Sequence, residues 1–228
     1  MWHLKNESNH MKKILLAFLM LFLAFEAFPQ TSVGFRAGYT SSSYSYQPAA
    51  NFRSQSTESV VRPTFALVVE HFISKNAGIE MNLQWITLGF RQINENAVTL
   101  PENRTEFDYL KVPFFASFYA GRSGRFQIKV GPHLGFLVNA RDVQREFTSA
   151  ATPEIPTYGG PEDRPNRFMY GLNAGAGISK LFGKSTLAVE FRFAYDFTNP
   201  EGQDRIFDMN STNLELSLAY LFRVRENP

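Results

Sequence analysis

The chain has 228 residues, 44% hydrophobic and 19% charged, with a formal net charge of +2, a length that suits one domain. So even a balance excludes the basic footprint of a nucleic-acid binder, and the absence of cysteine excludes disulfides and thiolate-held metals. A mean hydropathy of −0.22 excludes a helical membrane bundle, yet 23 Phe and an aromatic share of 15% show that large apolar rings are in demand.

Residues 1–29 read as an N-terminal extension and an export signal. Lys12 and Lys13 precede the uncharged, mostly apolar run Ile14 to Phe25. A basic start and a short apolar stretch describe a secretory signal peptide, and the run is shorter than the roughly 20 residues a spanning helix needs. Met11 fits the start of the signal, because residues 1–10 are polar and add nothing to it. Ala27 suits the last signal position, although Phe25 then stands where a small residue is preferred.

From residue 30 to 225 the pattern has period two, which puts alternate residues on opposite faces of a strand. Strand one is about 31–40, with Val33, Phe35, Ala37 and Tyr39 on one face and Gly34, Arg36 and Gly38 on the other. Strand two, about 61–72, sets Phe65, Leu67 and Val69 against Thr64, Ala66, Val68 and Glu70. Strand three, about 78–92, sets Ile79, Met81, Leu83 and Trp85 against Glu80, Asn82 and Gln84. Strand four, about 105–119, carries Leu110, Val112, Phe114, Ala116 and Phe118 on one face. Strand five, about 125–140, carries Phe126, Ile128, Val130, Leu134, Phe136 and Val138. Strand six, about 167–181, sets Phe168, Tyr170, Leu172, Ala174, Ala176 and Ile178 against Gly171, Asn173, Gly175 and Gly177. Strand seven is the clearest, with Leu187, Val189, Phe191, Phe193, Tyr195 and Phe197 opposite Ala188, Glu190, Arg192, Ala194 and Asp196. Strand eight sets Leu214, Leu216, Leu218, Tyr220 and Phe222 against Glu215, Ser217, Ala219 and Arg223. Pro113 and Pro132 fall inside strands, where a missing N–H removes a ladder bond, so a bulge is expected at each.

The connections alternate in length. They are short around 74–77, 121–124 and 182–185, and long at about 41–60, 93–104, 141–166 and 199–210. In an up-and-down barrel all short connections share one end and all long ones the other. An even strand count with this asymmetry predicts an all-β fold, an eight-stranded antiparallel transmembrane barrel of the outer membrane. The polarity of the two faces favours lipid over a soluble lipocalin-like barrel, the alternative. Glu70, Glu80, Glu190 and Glu215 are expected to meet Arg36, Lys129, Arg192 and Arg223 inside, beside glycines that make room for them. Unpaired buried ions would cost several kcal/mol. Tyr39, Tyr109, Tyr170, Tyr195, Tyr220 and Trp85 are expected in girdles at the two lipid boundaries.

Four stretches carry a family resemblance. The opening Thr31-Ser32-Val33-Gly34-Phe35-Arg36-Ala37-Gly38-Tyr39, the strand Asp108-Tyr109-Leu110-Lys111-Val112-Pro113-Phe114, the strand Val130-Gly131-Pro132-His133-Leu134-Gly135-Phe136 and the Gly-rich run Gly171 to Gly177 resemble the PorT-like outer-membrane β-barrel family of Bacteroidetes. Lys111 departs from the acidic residue usual at its position. The resemblance covers roughly 31–224. It implies the barrel fold and an outer-membrane location; a part in type IX protein secretion is known for the founding member.

No constellation of catalytic, cofactor-binding or metal-ligating residues stands out, so no cofactor and no enzyme activity are expected. His71 and His133 have no metal-ligand spacing. Gly171, Gly175 and Gly177 lack the strand-to-helix setting of a nucleotide loop, and no Gly-x-Ser-x-Gly elbow occurs. Asp142, Glu146, Glu154, Glu162, Asp163, Asp204 and Asp208 lie in long loops beside Arg141, Arg145, Arg164, Arg167 and Arg205, a mixed-charge surface rather than an acidic metal cage. Asn103-Arg104-Thr105 matches a glycosylation sequon. The expected role is structural or one of interaction through the external loops, with outer-membrane lipid and envelope proteins as partners, or as an accessory of protein secretion. A small-ligand carrier and a lipid-modifying enzyme are the alternatives. Oligomeric state is not encoded in these patterns. Eight strands leave no open channel, so a diffusion pore is not expected.

Overall fold

The computed structural model describes residues 30–93, 99–146 and 156–225. The N-terminal signal expected over 1–29, and Glu154 with it, lies outside these residues. The described residues form one antiparallel sheet of nine strands, of which Gln55–Ser56 is a two-residue addition to the first. The eight long strands are β1 (Gln30–Gln47), β2 (Glu58–Ser74), β3 (Ala77–Ile93), β4 (Glu102–Gly121), β5 (Gly124–Arg145), β6 (Phe168–Phe182), β7 (Ser185–Asp196) and β8 (Asp208–Arg225). Each pairs with its chain neighbours, and β1 pairs with β8 from Thr31↔Arg225 to Gln47↔Asp208, so the sheet closes on itself. Closure pairs the strand edges along the apolar band, which lipid would otherwise leave bare.

The three short connections are two-residue turns after Ser74, Gly121 and Phe182. In the last, Gly183 takes φ +59°, the left-handed value that primed hairpin turns require. The long loops all lie at the other end.

Alternation places the expected faces as read. Val33, Phe35 and Tyr39 of β1, Phe65 and Leu67 of β2, and Phe191 and Phe193 of β7 point out and stay exposed, while Arg36, Glu70, Glu80, Glu190 and Arg192 are buried inside. A soluble barrel would have the reverse arrangement. The lipocalin alternative is therefore disfavoured by which face is charged.

Two expectations are corrected. Pro113 and Pro132 do not mark bulges. Pro113 faces His133 and Pro132 faces Leu172 in a register that continues unshifted on both sides. Bulges in the β4–β5 ladder fall instead at Arg104/Thr105 and Asp108/Tyr109. The ladder tolerates each missing N–H because the neighbouring pairs hold the strands in line. Tyr109, expected in a girdle, is buried inside at 2% exposure. It follows the bulge at Asp108 and faces inward, opposite to Leu110. Tyr39, Tyr170, Tyr220 and Trp85 do face outward.

The strands also run further than the alternation suggested. β1 continues to Gln47 and β5 to Arg145, a length of 22 residues. At about 3.3 Å per residue that is roughly 70 Å along the strand, more than a hydrocarbon core of about 30 Å needs even when tilted. The loop-end part of the barrel stands clear of the apolar band.

There the polarity inverts. On β3, Ile79, Met81, Leu83 and Trp85 point out, but the next apolar residues, Ile86, Leu88 and Phe90, point in. On β1, Phe35 and Tyr39 point out, but Tyr44 and Tyr46 point in beneath an outer row of Ser41, Ser43 and Ser45. Below the boundary the wall meets lipid and the interior is polar. Above it the wall meets water and the interior is apolar.

Candidate functional site

The interior is stacked in layers. Nearest the short turns, Tyr119 of β4 donates its hydroxyl to Glu70 of β2, while Arg125 of β5 sits 5.6 Å from the Phe72 ring and 5.8 Å from that of Tyr119. Next comes a buried charge network. Lys129 of β5 donates to Glu80 of β3 and, at 2.6 Å, to Glu190 of β7. Arg192 of β7 reaches Glu80 at 2.8 Å, donates its Nε to Glu190 at 2.8 Å, and stacks 4.6 Å from the Phe115 ring. Arg36 of β1 lies 3.1 Å from Glu215 of β8, which also accepts from Gln84 at 2.8 Å. Gln127 completes the shell of Glu190 at 2.8 Å.

Three of the four expected cations therefore meet the expected carboxylates. Arg223 does not. It lies half-buried at the turn-side mouth, where its backbone N–H donates to Lys184 O at 2.8 Å. Its position near the end of β8 keeps it below the buried layer. Glu70 is likewise met by a tyrosine rather than by one of those cations.

A second polar knot lies higher. Asp196, the last residue of β7, accepts from His133 at 2.5 Å, from Lys111 at 3.4 Å, from Asn213 at 3.2 Å and from the Ser211 hydroxyl. His133 is fully buried. In the sequence His133 stands alone on its strand, with nothing nearby to connect it to Asp196 or Lys111. Their inward phase on three strands was the available signal; only register brings them to one level. Glycine makes the room. A Cβ at Gly171 would stand 2.6 Å from the His133 ring, and one at Gly175 3.1 Å from Arg192 Cγ.

Above this knot the lumen is closed by apolar side chains. Ile86, Leu88, Phe90, Phe107, Tyr109, Leu137, Met169 and Met209 pack with Tyr44 and with Tyr158, which comes from the long loop between β5 and β6. Tyr158 meets Phe107 edge-on at 4.9 Å, and Tyr44 meets Phe90 at 5.5 Å. The hydroxyl of Tyr158 donates to Glu201 at 3.1 Å. Burial and the adjacent Glu201 carboxylate push the Tyr158 phenol well above its ordinary range.

Two loop segments are tied over this cap: residues 156–167 of the β5–β6 connection (loop 3) and residues 197–207 of the β7–β8 connection (loop 4). Arg205 reaches Glu201 at 3.1 Å and Asp163 at 3.0 Å, with its guanidinium 5.4 Å from the Tyr158 ring. Asn166 N–H donates to Pro200 O at 2.9 Å, and Arg164 N–H to Gln203 Oε1 at 2.9 Å. Several charges beside these loops are also engaged. Asp142 accepts from Thr105 at 2.8 Å, and Arg141 joins Asp108 to Glu106. Glu146 accepts the Glu102 N–H at 2.8 Å, which holds its carboxyl below the usual range. Among the described residues no group of three or more His, Asp or Glu converges as a metal site.

The barrel is similar to solved structures at low identity. The attachment invasion locus protein Ail of Yersinia pestis, in complex with sucrose octasulfate, is 13% identical over 84% of this chain and 99% of that one, with a TM-score of 0.39. Neisserial surface protein A is 11% identical over 83% and 96%, with a TM-score of 0.43. OprG from Pseudomonas aeruginosa is 8% identical over 87% and 97%, with a TM-score of 0.46. No curated protein matches the chain. A family model described as the outer membrane protein beta-barrel domain matches residues 28–200, most of the barrel. With lipid-facing rings outside, charges inside and its edges closed, the chain belongs to the outer membrane protein beta-barrel domain family and resides in the outer membrane.

Proposed function

We propose that this protein is a non-enzymatic interaction barrel that presents loops 3 and 4 as a preformed surface to another envelope component. The observation that carries this reading is the anchoring of Tyr158. A loop longer than chain closure requires is pinned into the barrel by a buried ring and cross-tied to its neighbour through Arg205 and Glu201. Preformed loops bind without a large ordering cost. The side chains around Asp196 support the non-enzymatic reading. Ser211 donates to the carboxylate rather than to His133, so the serine–histidine–carboxylate relay is not assembled, and all three side chains are buried away from any substrate. The four motifs given above support kinship with the PorT-like group. An accessory role in protein secretion follows from that kinship alone.

A photo-crosslinking residue placed at the exposed Glu162 tests the reading in native membranes. It is expected to trap a defined envelope protein. The same residue in a Tyr158→Ala background is expected to lose most of that product, and a probe at lipid-facing Phe191 to give none of it. Equal yields with and without Tyr158, or no product from loop 3, would refute the proposal.

A further inference from the structure

β5 runs on beyond the start of β6 at Phe168, so its upper edge is covered by loop 3 rather than by a strand. Two backbone bonds make that cover. Leu137 N–H donates to Arg167 O at 2.7 Å, and Asp142 N–H to Tyr158 O at 2.9 Å. Between these points the loop bows away and leaves a cleft of about 470 Å³. Its floor includes Phe136 and Val138, outward residues that are 51% and 53% exposed. Phe136 lies opposite Leu110, the last apolar outward residue of β4 before Asp108. The cleft therefore straddles the upper boundary of the apolar band.

Its loop side carries Arg164 and Arg167. Both are exposed, and among the described residues neither guanidinium has a hydrogen-bond or ion-pair partner. The acid in the lining, Asp163, is already engaged by Arg205 at 3.0 Å and by Gly160 N–H at 2.7 Å. Exposed Glu162 is the neighbouring carboxylate and is not part of the lining. Most other charges at this end are paired, which makes two uncommitted guanidiniums above an apolar floor a specific arrangement.

We infer that this cleft holds the phosphate-bearing headgroup of a lipid from the surrounding leaflet. The phosphate meets Arg164 and Arg167, and an acyl chain lies on Phe136 and Val138. Guanidinium groups match phosphate oxygens in a two-pronged geometry. The floor identifies the source as lipid, because it is continuous with the wall that lipid covers, and a free anion gains nothing from it. The inference is independent of the proposed loop partner.

Native mass spectrometry on the full folded chain in non-ionic detergent tests it, with the bis-phosphorylated glycolipid lipid A as the probe. Its dephosphorylated counterpart and inorganic phosphate are run in parallel. The chain is expected to retain lipid A, to bind the dephosphorylated form about tenfold or more weakly, and to keep lipid A in the presence of inorganic phosphate. Arg164→Gln/Arg167→Gln is expected to weaken retention by a similar factor, and Arg122→Gln at the opposite end to leave it unchanged. Heat-modifiable migration reports folding of each variant. On the unaltered chain, raised ionic strength is expected to lower retention. Equal retention by the double variant, displacement by inorganic phosphate, or indifference to salt would each overturn the inference.

Discussion

Lys129 and Glu190 meet at 2.6 Å across the closed interior, and the same ammonium reaches Glu80, so one side chain from β5 joins β3 and β7. The pair stands in a layer where water has no access, so its loss is not screened. Lys129→Met is expected to leave Glu80 and Glu190 competing for Arg192, with one buried negative charge uncompensated, and to destabilise the barrel by about 3–5 kcal/mol. Urea titration of the vesicle-inserted protein, read by heat-modifiable migration, measures this. Lys129→Met/Glu190→Gln is expected to be less damaged than the sum of the single changes, with a coupling of roughly 0.5–3 kcal/mol. Strict additivity would show that the contact carries no energy.

The outer face makes the opposite demand. Phe191 is half exposed in the middle of β7, where it meets hydrocarbon. Phe191→Arg is expected to cost about 2–4 kcal/mol, the depth-dependent penalty for a cation near the midplane. The folded fraction in vesicles should fall accordingly. Unchanged insertion would mean that this face does not contact lipid.

Gly171 is fixed by close approach. A Cβ there would lie 2.1 Å from Tyr195 O and 2.6 Å from the His133 ring, so a methyl group forces backbone as well as side chain to move. Gly171→Ala is expected to destabilise by about 1–3 kcal/mol. Pairing it with His133→Ala should recover only part of the loss, since the carbonyl clash remains. Full recovery would place all the conflict on the histidine.

Loop 3 depends on a neutral Tyr158. Its phenol is raised above the ordinary value, so folding favours the protonated form. The stabilisation is fully present below about pH 10, the unfolded phenol value, and is lost as pH rises toward the higher folded value. Limited proteolysis in loop 3 is expected to accelerate above pH 10 in the unaltered protein. In Tyr158→Phe that alkaline acceleration should vanish, because nothing remains to ionise. Tyr158→Ala should be cut quickly at every pH while the barrel stays folded. A Tyr158→Phe profile identical to the parent would exclude this residue as the anchor.

The filled interior predicts electrical silence. Arg36, Lys111, Glu80 and His133 are each 2% exposed or less, and an aromatic cap closes the loop end. Planar-bilayer recordings are expected to show no unitary conductance, and stable openings would contradict the packing.

Strand number, phase and the long–short alternation of connections were legible because lipid imposes period two on every crossing. Val33 to Tyr39 and Leu187 to Phe197 each read directly as an outer face. Legibility stopped at the membrane boundary. Ser41 to Gln47 of β1 looked like a loop because its outer row is Ser41, Ser43 and Ser45, and the apolar residues Tyr44 and Tyr46 had changed sides. The same phase change at Trp85 and Ile86 was visible in the sequence as two adjacent apolar residues. It is the mark by which such extensions can be found.

Within the apolar band, the sequence by itself determined which residues face out and which face in, since covalent geometry forces neighbours on a strand to opposite sides. It also determined that the fold must close, because charged inner faces and apolar outer faces admit no open edge in lipid. The tertiary structure alone decided which buried charges meet. Lys129 with Glu190 are 61 residues apart, and His133 with Asp196 are 63 apart. Their meeting depends on strand stagger and barrel closure, which no local pattern encodes. It decided too that Tyr158 would cap the lumen and that Arg164 and Arg167 would stand over Phe136 and Val138. Those placements follow from where a long loop folds back, a choice made by packing and not by periodicity.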